Sequence, residues 1–153
     1  MRKIIIICAS LFIVFACRQN YSEINKEYLG KYIYLFNEDI YVEIELLSNK
    51  KNYKAKIIGY YNAEEHGILR YFSIVDKVSI EGNKISFNTS NRRLTNSKVH
   101  LNDFDKLITS SENSGEIGGI KFNGIILSDR MILSWISDDE FEEQKEKTFI
   151  KQK

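Results

Sequence analysis

Residues 78 to 87 read Val78-Ser79-Ile80-Glu81-Gly82-Asn83-Lys84-Ile85-Ser86-Phe87. Apolar and polar residues alternate on both sides of Gly82-Asn83, the pattern of two strands that bury one face each. A two-residue Gly-Asn connection suits the right-handed twist of paired strands, and it sets Glu81 against Lys84 and Ile80 against Ile85. This segment is predicted to be a β-hairpin of an antiparallel sheet.

The same period continues outward in both directions. Within Asp39 to Ser48, Ile40, Val42, Ile44 and Leu46 alternate with Tyr41, Glu43, Glu45 and Leu47. Within Asn52 to Tyr61, Tyr53, Ala55, Ile57 and Gly59 alternate with Lys54, Lys56, Ile58 and Tyr60. A loop at Ser48 to Lys51 with Leu47 facing Asn52 puts Glu45 opposite Lys54 and Glu43 opposite Lys56 outside. The inner partners are then Leu46 with Tyr53, Ile44 with Ala55 and Val42 with Ile57. Lys121 to Ser128 and Met131 to Ser137 form a third hairpin, turned at Asp129-Arg130, with Gly124 opposite Trp135. Tyr28 to Phe36, Ile68 to Val75 and Lys147 to Lys151 complete the strands.

Ser90 to Ser97 and Ser110 to Gly119 are rich in Ser, Asn and Gly without an apolar period and read as loops. A weak strand or short helix at Lys98 to Ile108 lies between them. Eight or more short antiparallel strands predict an all-β fold, a closed barrel or a sandwich; closure removes the exposed edges that invite aggregation.

The first residues are of another kind. Arg2 and Lys3 precede an apolar run from Ile4 to Phe15 that ends at Ala16, the order of a secretory signal. The run is shorter than the roughly 20 apolar residues a membrane-spanning helix needs. Val14-Phe15-Ala16-Cys17 resembles the lipobox of bacterial lipoproteins, whereas Cys8 follows the bulky Ile7 and is unsuited to cleavage. That resemblance implies a signal peptide at residues 1–16, a lipid-anchored tether at 17–27, and a barrel domain at 28–153. It implies a diacylglyceryl group on Cys17, in many species with a third, amide-linked chain of the palmitate class. More than one acyl chain gives stable anchoring without a transmembrane segment. Arg18 follows the acylated position; by the same resemblance the absence of Asp there points to the outer membrane of the bacterial cell envelope.

With Cys8 removed and Cys17 acylated, no disulfide is expected in the mature chain of 137 residues. Without Arg2 and Lys3, 20 basic side chains stand against 21 acidic ones, a balance that argues against a nucleic-acid partner. All nine Tyr and Trp135 lie in the mature part, enough aromatic volume for a core or a lined pocket.

Gly30-Lys31-Tyr32, the Gly-Asn hairpin, Phe122-Asn123-Gly124-Ile125-Ile126 and Met131 to Trp135, in that order, are similar to small lipocalin-like lipoproteins of bacteria. The similarity implies an up-and-down barrel whose interior either holds one small ligand or is filled by side chains.

No catalytic constellation is evident, and the expectation is that the chain is not an enzyme and takes no cofactor or metal. His66 and His100 lie in different segments, and the spacing has no zinc-site pattern. Ser114 to Gly119 lacks the order and the Lys of a phosphate-binding loop. Asp138, Asp139, Glu140, Glu142 and Glu143 lack the spacing of a calcium loop and read as a solvated hairpin tip or the start of a short helix. Asp103 and Asp105 flank Phe104 with no partner for acid-base work, and Arg92-Arg93 with Lys98 read as a small basic loop patch.

Two function classes follow. One is binding of a small apolar ligand or lipid by inward aromatics, for which Tyr53, Phe72, Phe87, Phe122 and Trp135 are the candidates. The other is an envelope-protein interaction, as in an inhibitor, immunity factor, adhesin or assembly component, through the loops at Asn62 to Gly67, Ser90 to Ser97 and Ser110 to Gly119.

Overall fold

The computed structural model describes residues 24–37, 40–49, 52–63, 67–89, 92–95, 100–109, 113–137 and 146–153. Cys17, His66, Lys98 and the acidic run at 138–143 lie outside the described residues. The Gly-Asn hairpin forms as its sequence predicts. Strands β4 (Gly67–Glu81) and β5 (Lys84–Thr89) pair Glu81 with Lys84 and Ile80 with Ile85. Gly82 takes φ +62°, in the region glycine enters most cheaply.

Around it the chain is a meander. Strands β1 (Gly30–Asn37), β2 (Ile40–Asn49) and β3 (Asn52–Ala63) precede β4; β6 (Arg92–Thr95), β7 (Asn113–Ile117), β8 (Ile120–Ile126), β9 (Arg130–Ser137) and β10 (Lys147–Lys151) follow β5. All pairings are antiparallel, and β1 returns to β10 through Tyr32 with Lys151 and Ile33 with Ile150, closing the sheet.

The two segments expected to be loops belong to this wall. Leu94 of β6 pairs with Tyr71 in the register that already pairs Phe87 of β5 with Val78. Likewise Arg92 pairs with Ile117 of β7 in the register that pairs Thr89 with Ile120 of β8. Thus β5 and β6 keep one register and count as one strand, and β7 and β8 are one strand interrupted at Gly118-Gly119. Counted this way the wall is an eight-stranded up-and-down barrel. Polar composition concealed these strands because even their inner positions include polar residues, Thr89 and Arg92.

Two hairpins are shifted from their expected registers by two residues. Asn49 pairs with Asn52, so Leu46 faces Ala55, Ile44 faces Ile57 and Glu45 faces Lys56. The inner and outer faces are as expected, because a two-residue slip preserves the period and trades one Glu–Lys match for another. In the third hairpin the turn is Ser128-Asp129, closed by Leu127 N donating to Arg130 O at 2.8 Å. Gly124 consequently faces Leu133, and Trp135 faces Phe122. The segments Ile68 to Val75 and Val78 to Glu81 are one strand with a bulge: Ala55 pairs with Val75 and Tyr53 with Val78. The extra residue leaves both valines inside and Asp76 outside, where Lys54 meets it at 2.8 Å.

The inner face is one apolar cluster that includes Tyr32, Ile44, Leu46, Ile57, Met131, Leu133 and Phe149. A second cluster lies outside the wall. Leu101 of the 3-10 turn η2 (Leu101–Asp103) and Phe104 and Leu107 of α1 (Phe104–Thr109) cover Tyr41, Ile58, Tyr60 and Phe72. Of the two forms expected for Lys98 to Ile108, it is therefore the short helix that forms.

Gly124 sits where a Cβ would overlap the Ile132 carbonyl oxygen, a backbone group that cannot swing aside. Replacing Gly124 with Ala is expected to cost about 1–3 kcal/mol as overpacking. At Gly82 a Cβ meets nothing within 4 Å, so Gly82→Ala carries only the left-handed backbone cost of about 1 kcal/mol. Urea denaturation of both variants checks the order; a Gly124→Ala midpoint equal to wild type would refute the close approach.

Candidate functional site

The two ends of the barrel are built differently. At one end the strands are joined by the connections at 50–51, Gly82-Asn83 and Ser128-Asp129. The 3-10 turn η1 (Lys26–Tyr28) lies against this end, where Ile24, Tyr28 and Leu29 pack on the core. Its place in the expected tether is held by specific bonds: Asn25 N donates to Tyr53 Oη at 2.6 Å, and Tyr32 Oη donates to Tyr28 O at 2.7 Å. Lys151 Nζ donates to Glu27 O. Behind η1 the inward side chains Tyr32, Leu46, Ile126, Met131 and Leu133 are fully buried. This half of the interior is filled.

The other end receives the connections at 38–39, 64–66, 96–112 and 138–146, of which the last two are the longest in the wall. There the inward residues Tyr34, Leu94, Trp135 and Lys147 are only half-buried. Inside a closed wall solvent reaches an inward side chain only through an end, so the interior is accessible from this side.

Five aromatic rings meet in this half. Tyr34 lies edge-on to Trp135 at 6.2 Å and tilted to Phe149 at 5.7 Å between centroids. Trp135 lies 6.2 Å from Phe149 and 5.8 Å from Phe122, which in turn stacks on Phe87 at 4.7 Å. Lys147 shares the inward parity of Phe149 and sets its Nζ 5.6 Å from the centre of the Tyr34 ring. Among the described residues, none accepts a hydrogen bond from Lys147 Nζ, Tyr34 Oη or the Trp135 indole N–H.

Across the lumen, Tyr71 lies flat along the wall, its ring occupying the space a Cβ on Gly59 would need. Arg92, only 4% exposed, stacks its guanidinium 5.0 Å from the Tyr71 ring and donates from Nε to Gly118 O at 2.8 Å. The expected basic loop patch is thus resolved differently: Arg92 and Arg93 belong to a strand, and their alternation sends Arg92 inward.

Of the five aromatic candidates, Tyr53, Phe87, Phe122 and Trp135 face inward. Tyr53 belongs to the filled end, and Phe87, Phe122 and Trp135 to the ring cluster. Phe72 is a correction. Tyr71, Ser73 and Val75 take the inner positions of β4, which turns Phe72 outward against Phe104 at 5.8 Å. Two adjacent aromatics leave the face undecided until the register is known. Tyr34, Tyr71 and Lys147 were not singled out in the sequence, and Arg92 was read there as part of a loop patch. For Lys147 the signal was available, two positions before Phe149 in a short alternating strand.

The outer cluster holds the remaining polar group of interest. Glu43, 7% exposed, accepts from Leu101 N at 3.0 Å and from His100 Nδ1 at 2.5 Å. His100 stacks on Tyr41, and Tyr41 on Tyr60, each at 5.3 Å. Asp105 pairs with Lys56 and Asp103 with Lys106, both at 3.0 Å. The Glu43 bonds, the His100–Tyr41 stack and the Asp105–Lys56 pair fasten the 100–109 segment to β2 and β3, while Asp103–Lys106 lies within the segment.

Comparison of the chain with protein-family models, curated proteins and solved structures finds no match.

Burial pushes the Tyr32 phenol up to about 12, with Tyr28 and Asp129 adding to it. Burial likewise raises Tyr41 to about 12, followed by the neighbouring Glu43 and Tyr60 and opposed by Arg70. Unfolding releases both phenols to their ordinary value of 10.0. Their contribution to stability is therefore fully present below pH 10 and is lost as pH rises toward 12. An alkaline titration followed by phenolate absorbance and circular dichroism is expected to show these tyrosines ionising last, together with loss of the fold. Ionisation of all tyrosines near pH 10 with the fold intact would contradict their burial.

Proposed function

We propose that this chain is a lipoprotein of the bacterial cell envelope, acylated on Cys17 and held at the outer membrane, whose lipocalin-like barrel binds one small apolar or amphiphilic ligand. The contrast between the two barrel ends carries the ligand reading. One half of the lumen is filled and braced by η1, whereas the other keeps half-buried aromatic side chains facing an accessible interior. Concave, mostly aromatic sites with a few polar groups are the usual form of small-molecule pockets. The anchor reading rests on the lipobox resemblance at residues 14–17. Its consequence for geometry is simple: η1 follows Cys17 closely in sequence, so the filled end is the membrane-proximal one and the accessible end faces away.

One observation favours a protein partner instead. Leu35 and Phe36, at the accessible end of β1, are 66% and 67% exposed. Two adjacent large apolar side chains at a rim form the nucleus of a contact surface.

Purification of the native protein followed by mass spectrometry of its organic extract and of co-purifying proteins separates the two. A small amphiphile near one-to-one stoichiometry supports ligand binding; a single stoichiometric protein with no small molecule supports the partner reading. Separately, Cys17→Ser is expected to release the protein from the membrane fraction. Retention there at high salt would overturn the lipid anchor.

A further inference from the structure

We infer that the ligand is an anionic amphiphile whose carboxylate or phosphate sits at the floor of the accessible half of the barrel, on Lys147, Tyr34 and Trp135. The inference rests on the ligand-binding reading above and adds the chemistry of the ligand and its orientation.

Three donors converge on one ring cluster. Lys147 Nζ lies over the face of Tyr34, and Tyr34 and Trp135 contact each other edge to face. Among the described residues no carboxylate or carbonyl pairs with any of the three. A half-buried ammonium has given up part of its water, and an aromatic face replaces only part of that loss. The indole N–H and the phenol, half-buried and without a protein partner among the described residues, are free to donate to a ligand. An oxyanion supplies what all three lack, since it accepts several hydrogen bonds and carries the compensating charge.

The charge pattern of the wall agrees. Inward positions of β6 and β10 toward this end carry Arg92 and Lys147, whereas the acids of β2, Glu43 and Glu45, lie on the outer face. Arg92 already stacks on Tyr71 and binds Gly118 O, so it adds to the positive potential rather than serving as the seat.

The filled half fixes the orientation. Leu133 and Met131 are fully buried on the filled side of the ring cluster, whose own member Phe149 is equally buried. The acidic group therefore enters first, and the apolar part points to the open end, where Leu94 packs beside Tyr71.

Trp135 is the single tryptophan of the chain and reports on the site directly. The test is a fluorescence titration of the intact purified protein with decanoate, decyl phosphate and decanol, repeated with Lys147→Met, which keeps the side-chain length without the charge. Tighter binding of an acid than of decanol, by at least about tenfold, is expected; the preferred acid tells a carboxylate ligand from a phosphate one. In Lys147→Met the preference should vanish while decanol binding is kept. Equal binding of acids and alcohol by the wild-type protein would overturn the anionic ligand but leave ligand binding standing. An acid preference that survives in Lys147→Met would overturn the seat, and no binding of any of the three would overturn both readings. Because the acid-to-alcohol comparison is made within the wild-type protein, it does not depend on how the variant folds.

Discussion

A small closed barrel forces every strand residue to one side of the wall, and the interior of eight strands is only just wide enough for the side chains directed into it. This constraint governs the molecule. A large inward ring must be matched by a small neighbour, as Tyr71 is by Gly59. Where strands approach more closely than a Cβ permits, glycine is required, as at Gly124 beside Ile132. A charge directed inward must find a face to rest on, and Arg92 and Lys147 each use a tyrosine ring. The difference between the two ends follows from how the lumen volume is spent: aliphatic and aromatic bulk below, aromatic edges and cations above.

Much of this order was legible in the sequence because parity is a local signal. Residues 78–87 displayed it with a turn that fixes the register, and the fold class followed. Where no turn glycine pinned the connection, as between β2 and β3 and between β8 and β9, the faces were readable but the partners were not. A slip of two residues changes no side chain's environment from inside to outside. The interrupted strands β5–β6 and β7–β8 were unreadable for a different reason. Their inner residues include Arg92 and Thr89, which are polar, and only the shared register of the neighbouring strands reveals that they continue.

The candidate site was partly visible for the same reasons. Trp135, Phe87 and Phe122 stand on strands whose alternation is clean. Phe72 was drawn outward by a feature that no periodicity encodes, the return of the 100–109 segment across β2 to β4. Leu101, Phe104 and Leu107 recur every three residues and cover the outer faces of Ile58, Tyr60 and Phe72, while Glu43 binds the first amide of that segment. The outward side chains Tyr41, Ile58, Tyr60 and Phe72 are thereby buried as thoroughly as inner ones. An apolar strand residue here does not identify the lumen.

The seam between β1 and β10 joins the two ends of the sequence through few pairs, supplemented by Gln152 N donating to Lys31 O at 2.8 Å. Every other pairing links strands that follow one another along the chain, and the hairpins turned at 50–51, Gly82-Asn83 and Ser128-Asp129 form from local contacts at low loop-closure cost. The seam alone spans the whole domain and is the contact of highest order. A chain synthesised N-terminus first can pair its hairpins in succession, yet its sheet keeps two open edges until Lys147–Lys151 arrives. Those edges are templates for unwanted pairing, which places the interval of greatest aggregation risk immediately before the last strand docks.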